Sequence, residues 1–102
     1  MKTFQFTLFV AGRTARAEQA IRSLQELCDQ HLGGDAEFQV VDVLAHPEIA
    51  DRERVLSTPT LDKREPQPAR RVIGDLSDPS RLIPALALYL DMDPDTDTEG
   101  TR

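Results

Sequence analysis

The stretch Leu56–Leu76, LSTPTLDKREPQPARRVIGDL, carries much of the information about how this chain folds. It contains two short β-prone runs, Thr60–Arg64 and Ala69–Leu76, separated by the proline-rich segment Glu65–Pro68. Prolines between two such runs are typical of a hairpin loop, so we expect two adjacent short strands. The Ser-Asp-Pro that follows predicts a helix, with Asp78 as its cap and a proline at its first position.

The N-terminal half predicts a strand, a helix and a second strand. Apolar residues alternate along Phe4–Val10, which indicates a strand that we expect to be central in the sheet. Thr14 can cap a following helix whose apolar residues keep helical spacing and which ends at Gly33-Gly34. Glu37–Leu44 is rich in valine without strict alternation, so we expect a strand covered on both faces. This order implies parallel pairing of the two strands through a right-handed crossover.

The C-terminal half adds a short helix and a segment with two interpretations. Glu48–Leu56 has apolar residues near helical spacing, which predicts the short helix. Leu82–Leu90 satisfies the helical and the strand period at once, and such a sequence is compatible with two packings. The predicted order is βαβαββα in one α/β domain over residues 1–91. The polar, acidic tail at 92–102 is expected to be disordered.

Length, composition and charge limit the classes of function. A chain of 102 residues with 39% hydrophobic residues can bury one modest core, and such small domains often gain stability as homo-oligomers. A net charge of -6 argues against binding to nucleic acid, whose phosphates attract basic surfaces. No apolar run is long enough for a bilayer span or a signal peptide, so we expect a cytoplasmic protein without a membrane partner.

The residue types that carry chemistry do not form a recognisable active site, so we predict no catalytic residue, cofactor or metal. Cys28 is the lone cysteine and falls inside a predicted helix, which is typical of a packing residue. His31 and His46 lack the spacing of metal ligands and are expected at the surface or at a helix cap. Gly12 follows the first strand without the spacing of a phosphate loop, so we expect it to serve a turn.

Arg70 and Arg71 are adjacent cations in a predicted strand. Paired guanidinium groups can bind a carboxylate or a phosphate. Alternation along a strand sends the two side chains to opposite faces, however. We therefore expect one solvated arginine and one ion-paired arginine.

Three segments together resemble the KaiB family of bacterial circadian-clock proteins. They are Leu8–Gly12 (LFVAG), Val40–Leu44 (VVDVL) and Leu56–Leu76, and the resemblance runs from about Phe4 to about Tyr89. It implies a thioredoxin-like fold and a non-enzymatic protein that binds a KaiC-type ATPase. It also implies a second, βαββααβ ground state, usually tetrameric, that exchanges with the thioredoxin-like state.

The resemblance assigns roles to individual residues. Those matched to the KaiC-binding region are Pro47, Arg54, Thr58 and Pro59, and thioredoxin-like folds characteristically have a cis-proline at the position of Pro59. Those matched to the region that changes fold are Pro59, Gly74, Asp75, Pro84, Ala85 and Ala87.

The chain also departs from the family at several positions. Ala85 and Ala87 stand where members commonly have Gly and Asp, and both changes favour a helix, whereas Pro84 replaces an aliphatic residue and opposes one. The balance between the two states therefore does not carry over from the family. Gln19 and Gln39 replace basic residues of the surface that cyanobacterial members use for KaiA, which argues against a KaiA partner.

Three functions follow from these features. The first is a clock or regulatory protein that binds a KaiC-type ATPase ring after a change of fold. The second is a KaiB-like stress or signalling module that binds a histidine kinase or another protein. The third is a degenerate thioredoxin-like redox or glutathione-binding protein. Thioredoxin chemistry needs Cys-x-x-Cys after the first strand, where this chain has Gly12–Arg16, so dithiol exchange is excluded.

Overall fold

The computed structural model describes residues 2–88 of the chain. A π-helical turn, Leu27–His31, continues the first helix. The described elements follow the predicted order βαβαββα: β1 (Phe4–Val10), α1 (Ala15–Glu26), β2 (Ala36–Asp42), α2 (Pro47–Glu53), β3 (Thr60–Glu65), β4 (Arg70–Ile73) and α3 (Pro79–Ala85). The predicted acidic tail at 92–102 lies outside the described residues.

The strands form one four-stranded sheet in the order β2-β1-β3-β4. β1 is central, as predicted, and pairs in parallel with β2, so that Phe6 lies beside Phe38 and Leu8 beside Val40. β3 is antiparallel to both β1 and β4. The hairpin predicted from the proline-rich stretch is therefore confirmed.

The hydrophobic core lies between one face of the sheet and the helices α1 and α3. Apolar residues at alternate positions of β1 supply one side, because alternate side chains of a strand point to the same face. The helices supply the other side with residues at helical spacing. Buried members of the core include Phe6, Leu8, Val10, Leu61, Ala17, Ala20, Leu24, Leu27, Leu82 and Leu86.

Both predicted helix starts are confirmed by their capping hydrogen bonds. The hydroxyl of Thr14 accepts a hydrogen bond from the backbone N–H of Ala17 at 3.1 Å. The carboxylate of Asp78 accepts one from the N–H of Ser80 at 3.0 Å, and Pro79 is the first residue of α3. Each cap satisfies an N–H group that the helix leaves unpaired and contributes about 1 kcal/mol.

The prediction for β2 was wrong in its bounds and in its burial. The strand spans Ala36–Asp42 and not Glu37–Leu44. It lies at the edge of the sheet, and none of its residues is fully buried, so it is not covered on both faces. Val40 is 39% exposed, and Leu44, beyond the end of the strand, is 71% exposed. A run of valines predicts a strand, but the number of its neighbours depends on distant parts of the chain.

Three other elements end earlier than predicted. α2 ends at Glu53 because the next residue, Arg54, adopts a left-handed backbone, and β4 ends at Ile73, before Gly74 with its φ of 106°. α3 ends at Ala85, so the described part of Leu82–Leu90 contains a helix and not a strand. The second arrangement remains a prediction. Among residues 2–88, no helix has the length and apolar character needed to cross a bilayer.

Candidate functional site

The residues matched to partner binding lie on and after α2. Pro47 is the first residue of this helix, and Arg54 follows its last residue. The carbonyl oxygens of Glu53 and Arg54 accept hydrogen bonds from Arg71, which alternates along β4 with the core residue Val72. α2 therefore lies over the sheet face opposite α1 and α3.

Arg54 ends α2 in a conformation that is uncommon for a residue with a side chain. Its φ of 57° and ψ of 47° are left-handed, and its N–H donates to the carbonyl oxygen of Asp51 at 3.3 Å. The next N–H, that of Val55, donates to Ala50 at 2.9 Å and closes the end of the helix. This turn directs the chain away from the helix and leaves the Arg54 side chain exposed.

Leu56 lies two residues beyond Arg54 and is 93% exposed. The sequence predicted that the helix continues to Leu56, but α2 ends at Glu53, so Leu56 follows the helix. The sequence offered one overlooked signal, because Leu56 directly precedes the chain breakers Ser57, Thr58 and Pro59. A surface groove here, which we call the α2 groove, is lined by Pro47, Ala50, Asp51, Arg54, Val55 and Leu56.

Thr58 and Pro59 line a different cleft, between the start of β3 and the start of α1. Their peptide bond is cis, as expected from the resemblance. Pro59 is buried, and its carbonyl oxygen accepts a hydrogen bond from Gly74 at 3.4 Å. The structure thus brings Pro47 and Arg54 together in the α2 groove and places Thr58 and Pro59 in this second cleft.

The second cleft is lined in part by residues that follow β1, where thioredoxin chemistry would need a Cys-x-x-Cys. Its lining includes Ala11, Thr14 and Arg16, and the only cysteine of the chain, Cys28, is buried in the π-helical turn. Burial raises the pKa of the Cys28 thiol to about 11, and the nearby carboxylate of Asp29 adds to the effect. A thiol with such a pKa is protonated at neutral pH and a poor nucleophile.

The residues matched to the change of fold cluster around β4 and α3. Gly74 ends β4 with a positive φ, and the carboxylate of Asp75 accepts a hydrogen bond from the N–H of Ser77 at 2.9 Å. Hydrogen bonding to Ser77, by its side chain first and by its backbone N–H second, lowers the pKa of Asp75. Pro84 lies inside α3, Ala85 is its last residue, and Ala87 has a left-handed backbone with φ 53°.

The two arginines of β4 differ as predicted. Arg71 forms an ion pair with Asp62 at 2.6 Å, whereas Arg70 is exposed and donates to the carbonyl oxygen of its neighbour Ala69. The histidines are both exposed, and His46 occupies the cap position before α2. Within residues 2–88, no cluster of three or more His, Cys, Asp or Glu side chains could hold a metal ion.

Comparison with solved structures identifies the fold. The N-terminal domain of SasA from Synechococcus elongatus superposes with a TM-score of 0.69 at 21% identity, covering 91% of this chain and 91% of that domain. Mitochondrial thioredoxin 3 from Saccharomyces cerevisiae gives a TM-score of 0.65 at 20% identity, covering 85% of this chain and 79% of that protein. The expected thioredoxin-like fold is confirmed.

Comparison of sequences identifies the family. A family model described as the KaiB domain matches residues 7–87. The circadian clock oscillator protein KaiB of Prochlorococcus marinus (strain MIT 9312) is 38% identical over 101 residues, covering 99% of this chain and 96% of that protein. KaiB of Trichodesmium erythraeum (strain IMS101) is 40% identical over 87 residues, covering 85% and 84%. On these matches, the chain belongs to the KaiB family.

Proposed function

We propose that this chain is a non-enzymatic regulatory protein that binds a KaiC-type ATPase ring through the α2 groove. The observation that carries the proposal is the exposure of Leu56, which is 93% accessible beside the cationic side chain of Arg54. The relatives are circadian clock oscillator proteins, which supports a role in a protein assembly.

The α2 groove has the composition of a protein-binding surface. Burial of an exposed leucine side chain contributes about 1.5–3 kcal/mol, so Leu56 can serve as an apolar anchor. Arg54 adds a charge that can pair with a carboxylate of the partner and increase the association rate. The rim is polar, with Asp51 beside Arg54. A central apolar contact with a polar rim is the usual anatomy of protein interfaces.

The proposal assigns the chemistry to the partner and not to this chain. The cleft beside Pro59 has Gly12–Arg16 where a dithiol would stand, and the Cys28 thiol is buried. We therefore expect the purified protein neither to reduce insulin disulfides nor to hydrolyse ATP. Turnover that disappears in Cys28→Ser would contradict a purely binding function.

We further propose that the chain is cytoplasmic and rests as a homo-oligomer in which the C-terminal half has a second arrangement. The match to the KaiB family and the opposing signals of Pro84 and Ala85 support this part of the proposal. If only the thioredoxin-like state binds the ATPase, the apparent affinity is reduced by the fraction of protein in that state. The association rate should then be lower than the rate at which the two proteins meet by diffusion.

Assembly with the ATPase tests the proposal. The protein is incubated with ATP and the KaiC-type ATPase encoded by the same genome, and complexes are weighed by native mass spectrometry. We expect up to one copy per ATPase subunit, weaker binding by Arg54→Glu and Leu56→Ser, and no change in Arg22→Glu, an exposed position on α1. The Arg54→Glu defect should shrink at high salt, because ions screen exposed charges.

Two results would overturn all or part of the proposal. If no complex forms after prolonged incubation, the KaiC-type ATPase is not the partner. Capture of a histidine kinase or another protein that depends on Leu56 and Arg54 would then assign the α2 groove to the alternative signalling function. Binding that Arg54→Glu and Leu56→Ser leave unchanged would place the interface elsewhere on the chain.

A further inference from the structure

α2 is too short to be stable without contacts to the rest of the protein. It has seven residues, and its side chains include no buried residue. Isolated helices shorter than about 12 residues are marginal in water, and most helices in proteins depend on packing of an apolar face. The apolar residues Ile49 and Ala50 of α2 are only half-buried, so the orientation of α2, and of Arg54 at its end, also depends on contacts made by its backbone and its polar side chains.

Arg71 on β4 supplies the main contacts of this kind. Its Nη1 donates to the carbonyl oxygen of Arg54 at 3.0 Å, and its Nη2 donates to the carbonyl oxygen of Glu53 at 2.9 Å. These two carbonyl groups belong to the C-terminal end of α2, where the helix leaves its acceptors unpaired. The guanidinium thus caps α2 from the sheet, at the end where the helix dipole favours a cation.

Asp62 fixes the guanidinium in the geometry that this cap requires. Asp62 and Arg71 lie directly opposite each other in the β3–β4 pairing. The carboxylate accepts from Nε at 2.6 Å and from Nη2 at 2.8 Å, a two-point contact that sets the plane of the guanidinium. The Asp62 side chain is only 10% exposed, so water competes little for this contact. The hydrogen bond to Asp62 is also the main reason why the pKa of Arg71 is raised.

A second arginine reinforces the arrangement through the side chain of Glu53. Arg64 on β3 donates from Nη1 to the Glu53 carboxylate at 3.3 Å and from Nε to the hydroxyl of Thr7 at 3.3 Å. Arg64 also lies 3.7 Å from the carboxylate of Asp62. The polar face of the sheet therefore holds the end of α2 by its backbone, through Arg71, and by a side chain, through Arg64.

We propose that Arg71, held by Asp62, is a positioning residue that presents Arg54 and the α2 groove to the partner. The inference rests on the proposed function of that groove. Arg71 need not touch the partner, because its Nη1 and Nη2 act on the main chain of Glu53 and Arg54. Lysine cannot replace it, since a single ammonium lacks the planar fork that contacts a carboxylate and two carbonyl groups together.

The first test uses the free protein and needs no partner. Hydrogen exchange is followed at the backbone amides of Arg54 and Val55 in Arg71→Lys and in the matched control Arg70→Lys, whose parent side chain donates to the carbonyl oxygen of Ala69 and not to α2. We expect exchange about tenfold faster in Arg71→Lys, as for a loss of about 1.4 kcal/mol, with β1 amides unchanged. Equal exchange in the two variants would overturn the positioning role.

The second test measures binding to the KaiC-type ATPase. Arg71→Lys should weaken the complex about tenfold, and Arg70→Lys should not. In the Arg54→Ala background the Arg71→Lys effect should be smaller, because one of the side chains that Arg71 positions is gone while Leu56 remains. Full additivity of the two substitutions would overturn the inference. If the unmodified protein does not bind, the proposed function fails, and the exchange experiment still decides whether Arg71 holds α2.

Discussion

The ammonium group of Lys63 donates a hydrogen bond to the backbone carbonyl oxygen of Ala87, 3.1 Å away, just beyond the end of α3. Lys63 is 1% exposed and lies on the core side of β3, opposite Phe6 in the pairing with β1. Its charge therefore faces the C-terminal end of the helix, where the dipole favours a cation. The sheet holds α2 through Arg71 and the end of α3 through Lys63.

The Lys63→Met variant should speed hydrogen exchange at the end of α3 while leaving the free energy of unfolding of the whole protein nearly unchanged. Loss of the hydrogen bond costs about 1 kcal/mol, and removal of a buried charge offsets a similar amount. We expect the free energy of unfolding to change by less than about 1 kcal/mol. The N–H of Leu88, which bonds to Ile83 at 2.9 Å, should nevertheless exchange faster, because the end of α3 has lost its cap. Unchanged exchange at Leu88 would show that Lys63 does not hold this end.

The pH dependence of stability in the wild type and in Lys63→Met provides an independent check. Burial, followed by repulsion from Arg70, lowers the pKa of Lys63 below its usual 10.5. Between the lowered value and 10.5 the unfolded chain binds more protons than the folded one, so stability rises with pH. In denaturant titrations, the free energy of unfolding of the wild type should therefore rise relative to that of Lys63→Met as pH increases toward 10.5. A fall in the stability of the wild type relative to Lys63→Met over this pH range would contradict the prediction.

Asp42 should make stability rise with pH in the acid range, in the same direction as Lys63 does in the alkaline range. Its carboxylate accepts hydrogen bonds from the N–H groups of Gly12 at 3.0 Å and Leu44 at 2.9 Å, which join the loops after β1 and β2. These bonds, that of Gly12 first, lower the pKa of Asp42 below its usual 3.8. The stabilisation is complete above 3.8 and is lost as pH falls through the lowered value.

Asp42→Asn should reveal this contribution. The variant should be less stable at neutral pH and lose less stability on acidification than the wild type, because the titrating carboxylate is gone. Asp51→Asn, at an exposed position on α2, is the matched control. Chemical denaturation between neutral pH and about pH 3 measures both effects. Identical pH profiles for Asp42→Asn and the wild type would exclude the contribution.

Local signals in the sequence predicted the parts of the fold that depend on neighbours along the chain. The alternation in Phe4–Val10 and the caps at Thr14 and Asp78 need no information from elsewhere, and all three are confirmed. The edge position of β2 depends on strand order, which valine content does not encode. The end of α2 at Arg54 was missed because no glycine marks the left-handed position.

The candidate site was predicted only in part for the same reason. Family resemblance identified Pro47 and Arg54, which do share the α2 groove. The Asp62–Arg71 pair depends on the register of the β3–β4 hairpin, and the loop between the strands does not fix that register from sequence. Alternation predicted that one arginine would be ion-paired, and only the structure shows that it is Arg71 and that it caps α2.

Pro84 should destabilise the helical form of the C-terminal segment. It lies inside α3 and is exposed, and its missing N–H removes the hydrogen bond that a helix would make to the carbonyl of Ser80. Pro84→Ile should restore that bond and favour the thioredoxin-like state by up to about 3 kcal/mol. NMR should show a larger monomeric thioredoxin-like population and faster binding to the ATPase. A single unchanged set of amide peaks would argue against two packings of Leu82–Leu90.

Ala85 and Ala87 allow the same substitution to be compared at two positions near the end of α3. Ala85 is the final residue of α3, with a helical backbone, and Ala87 follows it with a left-handed φ of 53°. Glycine destabilises a helical position by about 1 kcal/mol relative to alanine, whereas a left-handed residue with a side chain is itself strained by about 1–2 kcal/mol. Ala85→Gly should therefore lower the free energy of unfolding and Ala87→Gly should raise it, each by about 0.5–1 kcal/mol.

Because the chemical change is identical, its effect on the entropy of the unfolded chain largely cancels between the two variants. Urea unfolding at neutral pH measures both, and the amide of Leu88 reports on the end of the helix in each. Opposite signs would show that the left-handed turn at Ala87 limits the stability of α3. A destabilisation of equal size at both positions would show that the C-terminal segment is not held in this turn in solution.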